Sequence, residues 1–302
     1  MFNQVTIIGF GHIGSSIAKA LRYNELCKRI VAADASPSVC EKVVEIGLVD
    51  EVYNDLAKAV QGSELVILCI PVGAMGIVTE HIAPALEEGV ILTDVGSVKM
   101  SVIDTVTPFL PDGVDFVPAH PLAGTENSGP ESGIFNLFEK RWCLLTPTPE
   151  TSIKAVEHVT KLWEGMGARI DIMSPKHHDL VLGLTSHLPH LIAYTIVDTA
   201  NSLEDDLKGE VIKYSASGFR GFTRIAASDP TMWRDVFLNN REAMLEVLQH
   251  FAEDLTVMQK AIRKGDGDYL FDVFSRTRAI RREVIELGEA GVPAPGLEGD
   301  RG

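Results

Sequence analysis

Val5-Thr-Ile-Ile-Gly9-Phe-Gly11-His12-Ile13-Gly14-Ser-Ser-Ile-Ala-Lys-Ala-Leu21 is the stretch that decides the fold. Val5 to Ile8 is an apolar, largely β-branched run and predicts a buried strand. It ends in Gly9-x-Gly11-x-x-Gly14, after which Ile13, Ile17, Ala20 and Leu21 recur at helical spacing. In such a strand–turn–helix unit Gly9 permits the tight turn and Gly11 lets a pyrophosphate approach the backbone. Gly14 lets helix and strand pack closely. The helix N-terminus adds free N–H groups and a positive dipole end. Gly9, Gly11, His12, Ile13 and Gly14 are therefore the expected phosphate-binding residues. A second strand, Ile30 to Asp34, ends in an acid at about the 20-residue spacing that a dinucleotide fingerprint requires. A carboxylate there accepts hydrogen bonds from ribose hydroxyls and repels a 2′-phosphate. Ala35 and Ser36 supply no arginine for that phosphate, so NAD is favoured over NADP. The competing reading of Asp34 is a helix cap near Pro37.

Outward from this unit, strand and helix patterns alternate. Helices are expected from Val39 to Ile46, near Leu56 to Val60, from Gly76 to Leu86 and from Ile153 to Met166. Strands are expected at 49–53, 64–71, 90–94, 115–119, 142–146 and 168–172. The run Glu64 to Pro71 is continuously apolar, as a parallel strand covered on both faces should be. The fold class is thus α/β, a Rossmann-type doubly wound parallel sheet over residues 1–173. From Ser174 the strand signal stops. Helical patterns run through 178–199, 207–216, 230–262 and 267–287, giving an all-α domain over 174–290. Asp229-Pro230 is a sound helix start. Beyond it Phe237, Met244, Phe251 and Met258 recur every seventh residue, interleaved with Leu248, Leu255 and Ile262. That is an a/d seam, although Arg241 takes its first a position; it suits a second subunit, the competing reading being a long helix packed in its own domain's core. The Gly/Pro-rich tail 291–302 is expected to be disordered.

The chain has 302 residues and a net charge of −15, which argues against nucleic acid and acidic membranes as partners. An anionic substrate would need a local arginine or lysine. Cys27, Cys40, Cys69 and Cys143 are scattered, without CxxC or His/Cys ligand spacing, so reduced thiols and no metal are expected. No leader pattern and no apolar run of membrane-spanning length is read, and the expected compartment is the cytoplasm.

Ligands of open parallel sheets bind beyond the carboxyl ends of the strands. Three loops leave such ends. Ile70-Pro71-Val72 suits the adenosine side of a dinucleotide, with Pro71 ending the strand. Thr93-Asp94-Val-Gly96-Ser97-Val-Lys99 offers a close backbone approach at Gly96 and a hydroxyl at Ser97. Lys99 bears on an anion or caps the strand end. Val117-Pro-Ala-His120-Pro121 places at a strand end the one histidine suited to general-base work, because imidazole titrates near neutrality. In the helical half, Ser186-His187-Leu-Pro189-His190 puts two imidazoles beside a helix-perturbing proline. It lacks the carboxylate-rich surroundings of a hydrolytic metal site and reads as pocket wall. Arg224 and Trp233 lie in a second cluster, where arginine suits bidentate recognition of a carboxylate.

Together Gly9-x-Gly11-x-x-Gly14, Asp94-Val-Gly-Ser97-Val-Lys99, His120-Pro-Leu-Ala-Gly-Thr-Glu126, Ser186-His-Leu-Pro-His190 and Thr223-Arg-Ile-Ala-Ala-Ser-Asp-Pro-Thr-Met-Trp233 resemble the prephenate/arogenate (cyclohexadienyl) dehydrogenases of tyrosine biosynthesis. The resemblance spans nearly the whole chain. It implies a helical dimerisation domain, a homodimer, and an active site in the cleft between the domains. It also implies that His120 is the catalytic histidine at the ring C4 hydroxyl and that Ser97 bonds histidine, substrate and nicotinamide. Arg224 would clamp a substrate carboxylate, with His187, His190 and Trp233 around the substrate. Gly221 stands where many relatives carry Asp. The implied reaction is oxidative decarboxylation of prephenate or arogenate with NAD. The alternatives are a β-hydroxyacid-type dehydrogenase, which the His120 loop disfavours, and a catalytically silent NAD-binding sensor.

Overall fold

The computed structural model describes residues 1–124, 127–202, 214 and 216–289. Contacts divide the chain into two compact units, Met1–Met244 and Leu245–Gly302. In the first unit six parallel strands form one sheet: β1 (Phe2–Ile8), β2 (Cys27–Ala33), β3 (Glu51–Tyr53), β4 (Leu65–Leu68), β5 (Ile91–Asp94) and β6 (Asp115–Val117). Their spatial order, β3-β2-β1-β4-β5-β6, is that of a dinucleotide-binding sheet, with its reversal between β1 and β4. Helices α1 (His12–Tyr23), α2 (Pro37–Ile46), α3 (Leu56–Ala59), α4 (Met75–Ile82) and α5 (Met100–Val106) provide the crossovers. Strand side chains alternate between two cores. Val5, Ile7, Ile30, Ala32, Leu65 and Ile67 enter one, with Ile17 and Leu21 of α1. Ile8, Val31, Ala33, Val66 and Leu68 enter the other, with Met75 and Val102. Both faces being covered explains the unbroken apolar runs.

The expected strand over 115–119 divides at Pro118. Proline has no N–H to continue the ladder, and the chain leaves β6 for a second sheet made of β7 (Ala119–Pro121), β8 (Trp142–Leu145) and β9 (Arg169–Ile172). β7 is antiparallel to β8, and β8 is parallel to β9. The three later strands therefore stand apart from the doubly wound sheet, and His120 rides on the first of them. Helix α6 (Ile153–Gly165) precedes β9.

Helices α7 (Pro175–Leu182), α8 (Leu188–Asn201), α9 (Ser217–Thr223) and α10 (Pro230–Asn239) also belong to the first unit. Residues 175–201, with the π-turn Gly183–His187 between α7 and α8, form a run of 27 residues long and apolar enough to cross a membrane by length and composition. This differs from the sequence expectation. The run carries His178, Asp179 and His187, all buried and hydrogen-bonded inside the protein, while 28 % of its most apolar window is buried in the single chain. The long helix expected over 230–262 is broken at Asn240 (φ −102°, ψ 32°) into α10 and α11 (Arg241–Lys264). Phe237 therefore lies on a different helix from Met244, Phe251 and Met258. α12 (Gly267–Glu289) follows in the second unit. The helix expected at 207–216 falls almost wholly outside the described residues, as do the tail 291–302 and Thr125 and Glu126.

Candidate active site

The glycine loop performs its three tasks in three distinguishable ways. Gly9 has φ +90°, and a Cβ there would lie 2.4 Å from the Cys69 carbonyl oxygen. A Cβ on Gly14 would lie 2.2 Å from the Gly9 carbonyl oxygen, so strand and helix meet only because it is absent. Around Gly11 there is open space, where a pyrophosphate can reach the backbone. No side chain caps the N-terminus of α1, leaving its first N–H groups to an anion. The His12 imidazole is turned into the protein, Nδ1 lying 2.9 Å from the Ser132 carbonyl oxygen, so only its backbone N–H is offered to a ligand. Ile13 is half-buried beside it. Asp34 accepts hydrogen bonds from Phe10 N–H and Ser36 N–H, both at 2.9 Å, which fixes the carboxylate at the mouth of the loop. The cap of α2 is Ser36, which removes the capping reading of Asp34. Pro71 is exposed where the chain leaves the β4 end. This cradle fits a dinucleotide: an uncapped helix, one open glycine and one acid at the second strand end.

His120 is 9 % exposed. Its Nδ1 lies 2.9 Å from Nε2 of His178, whose Nδ1 lies 2.8 Å from Oδ1 of Asp179. A carboxylate accepts only, so His178 donates from Nδ1 and accepts at Nε2. His120 must then donate from its own Nδ1. That leaves Nε2 of His120 as the unprotonated nitrogen, and it makes no hydrogen bond among the described residues. Asp179 is held in turn by the N–H groups of Lys99 and Met100, at 2.8 and 2.9 Å, where it serves as the missing cap of α5. Burial is the main reason that His120 stays neutral well below the ordinary histidine value of 6.5, and the fields of His178, Lys99 and His187 act in the same direction. Burial lowers His178 too, opposed by its bond to Asp179.

Lys99 neither meets an external anion nor caps a strand end. It is fully buried, and its ammonium donates to Asp94 and, at 2.7 Å, to the Ala119 carbonyl oxygen. Asp94 accepts from the Ala119 N–H at 3.2 Å. The ion pair thus grips both backbone groups of the residue before His120. Gly96 is also used internally, since a Cβ there would lie 2.8 Å from Val72. Ser97, half-buried in the same loop, keeps its hydroxyl without a hydrogen bond among the described residues.

His187 arrives by a distortion of the helix. Nine residues after His178, it would face roughly the opposite way on a regular helix. Pro189 has no N–H for the Thr185 carbonyl, the helix widens into the π-turn, and the extra residue turns His187 back. His187 meets the edge of Trp233 at 5.9 Å between ring centroids, and His190 stacks on Trp233 at 3.7 Å. Among the described residues, His187 Nε2 and Trp233 Nε1 are buried with no partner. Each such orphan costs about 1–3 kcal/mol, a cost typical of a wall that awaits a ligand. Burial lowers His187 to about 4 and lowers His190, which donates Nδ1–H to the Ser186 carbonyl at 2.9 Å. The Arg224 guanidinium is close enough to lower His190 further. His190, Trp233 and His187 therefore form one ring cluster inside the first unit, with the charge of Arg224 acting on His190 and His187 acting electrostatically on His120. Sequence reasoning missed His178, Asp179 and Asn240. The adjacent acid and imidazole at 178–179 were the available signal.

Residues 17–172 match the family described as prephenate dehydrogenase, nucleotide-binding domain, and residues 174–276 match prephenate dehydrogenase, dimerization domain. Cyclohexadienyl dehydrogenase of Zymomonas mobilis is 44 % identical over 283 residues, covering 93 % of this chain and 96 % of that one. Prephenate dehydrogenase of Bacillus subtilis is 32 % identical over 295 residues, covering 97 % and 79 %. This chain belongs to the prephenate dehydrogenase family. The crystal structure of prephenate dehydrogenase from A. aeolicus in complex with hydroxyphenyl propionate and NAD+ superposes with a TM-score of 0.88 at 34 % identity, covering 94 % of this chain and 99 % of that one. Family membership agrees with the site, which has a dinucleotide cradle at one strand end and a neutral histidine at another.

Proposed function

We propose that the chain catalyses the NAD-dependent oxidative decarboxylation of prephenate or arogenate, yielding 4-hydroxyphenylpyruvate or tyrosine. The observation that carries the mechanism is the hydrogen-bonded series from Asp179 through His178 to His120, which leaves Nε2 of His120 free to take a proton. NAD, bound by the Gly9–Gly14 loop and Asp34, supplies the hydride acceptor. His120 takes the proton of the C4 hydroxyl as that carbon is oxidised, and the charge it gains is spread toward His178 and Asp179. Aromatisation of the ring drives loss of CO₂, so the protein has chiefly to orient the substrate and hold its anionic groups. Arg224 is assigned to a substrate carboxylate, His187, His190 and Trp233 to the surrounding wall, and Ser97 to the hydroxyl and histidine. No step of this reading calls for a metal.

The same proposal makes the enzyme a cytoplasmic homodimer. The described apolar side chains Leu245, Leu255 and Ile262 of α11 and Phe271 and Phe274 of α12 stand exposed in the single chain, which supports a shared helical seam. Mixing the protein with NAD and prephenate, and separately with arogenate, tests the activity through NADH absorbance. NADH formed together with the aromatic product is the expected result. Silence with both substrates would remove the proposal.

A further inference from the structure

Asn240, the residue at which the long helix breaks, is 3 % exposed and makes two side-chain contacts through one atom. Its Nδ2 donates to the Asp179 carbonyl oxygen at 2.9 Å and lies 3.0 Å from Nδ1 of His187. The Asp179 carbonyl can only accept, so the atom facing it must be the amide NH₂ and not the amide oxygen. The second proton of that NH₂ then points at Nδ1 of His187, which must accept with its lone pair. A neutral imidazole carries one proton, and here it sits on Nε2. The Nε2–H so created is buried and unpartnered, as is the indole N–H of Trp233, whose ring meets His187 at an interplanar angle of 78°. The wall thus holds two N–H donors and, among the described residues, no acceptor for either.

We infer that Asn240 is a positioning residue that locks His187 in the Nε2–H tautomer, so that His187 and Trp233 present N–H donors to oxygen atoms of the bound substrate. This rests on the pocket assignment of the preceding subsection. Asn240 also holds the backbone of Asp179, so one amide steadies both the donor wall and the residue that orients the His120 series. An apolar residue at 240 would leave His187 free to place its proton on Nδ1 and turn a lone pair toward the substrate oxygen. An aspartate would draw the proton there.

The tautomer is read directly by ¹⁵N NMR of histidine-labelled full-length protein, with the His187 signal identified by its loss in His187→Asn. The wild type is expected to show protonated Nε2 and bare Nδ1, and a protonated Nδ1 overturns the inference without any further variant. Asn240→Asp and Asn240→Ala are then compared at saturating NAD. Asn240→Asp is expected to move the proton to Nδ1 and to raise the KM for prephenate about 10- to 100-fold. NAD affinity should stay unchanged in both variants. A moved proton with an unchanged KM also overturns it. If the wild type turns over neither prephenate nor arogenate, the functional reading fails while the NMR measurement still decides the tautomer.

Discussion

Replacing Asp179 by asparagine attacks the preparation of His120 without touching His120. The carboxylate accepts from His178 Nδ1–H and from the N–H groups of Lys99 and Met100 at 2.8, 2.8 and 2.9 Å. An amide keeps the shape, loses the charge and puts an NH₂ in place of one acceptor. Oδ1 takes two donors, His178 Nδ1–H and Lys99 N–H, whereas Oδ2 takes one, Met100 N–H, so the amide keeps its oxygen toward His178 and sets its NH₂ against Met100 N–H. His178 and His120 then keep their tautomers, and what His120 loses is the field of the charge. The electrostatic loss can be sized separately. One imidazole and two hydrogen bonds put the carboxylate about 8 Å from the His120 ring, and at an effective dielectric of about 20 a full charge there stabilises an imidazolium by about 2 kcal/mol. That is about 30-fold in rate. Asp179→Asn is therefore expected to lower kcat by about 30-fold. The assay is NADH absorbance at saturating substrate, with NAD titration and circular dichroism reporting an intact fold. A folded variant with kcat within about threefold of wild type would refute the reasoning.

Other outcomes follow from the same site. Because burial holds His120 well below 6.5, the base stays deprotonated through neutrality, and kcat/KM should fall only as pH drops through that lowered value; an acid limb at or above 6.5 would contradict this. His187 titrates near 4 when folded and near 6.5 when unfolded, so protons favour the unfolded chain below 6.5. Its share, about 3 kcal/mol, is lost as pH falls from 6.5 to 4, and urea midpoints of wild type and His187→Gln across that window should diverge accordingly. Gly14→Ala would put a methyl 2.2 Å from the Gly9 carbonyl oxygen, and calorimetric titration should find NAD binding lost or weakened by more than tenfold.

The Rossmann half was legible because its signals are local. Glycine spacing, two-faced apolar strands and the acid at Asp34 each follow from a few adjacent residues, and the ends of β1 to β5 lie within three residues of their expected spans. The division of β6 from β7 was harder to read, since Pro118 shows that a ladder stops but not where the chain goes next. The break at Asn240 was masked by a heptad pattern that continues through it: periodicity reports which residues are apolar, whereas the break is set by an amide that finds partners in Asp179 and His187. Lys99 illustrates the same limit. A lysine at a strand end reads as an anion contact, and only the fold brings Asp94 and the Ala119 carbonyl around it. His120 was found from its place after a strand, but the residues that set its tautomer lie 58 and 59 positions away in sequence, on a helix whose apolar pattern hides them.

The most direct measurement is turnover by His120→Asn beside its NAD affinity in the same preparation. Asparagine occupies the position without accepting a proton, so kcat with prephenate or arogenate should fall by about two to four orders of magnitude while the NAD dissociation constant stays within about twofold, the loop and Asp34 being untouched. Undiminished NADH production by that variant would place the base elsewhere and end the account built on His120.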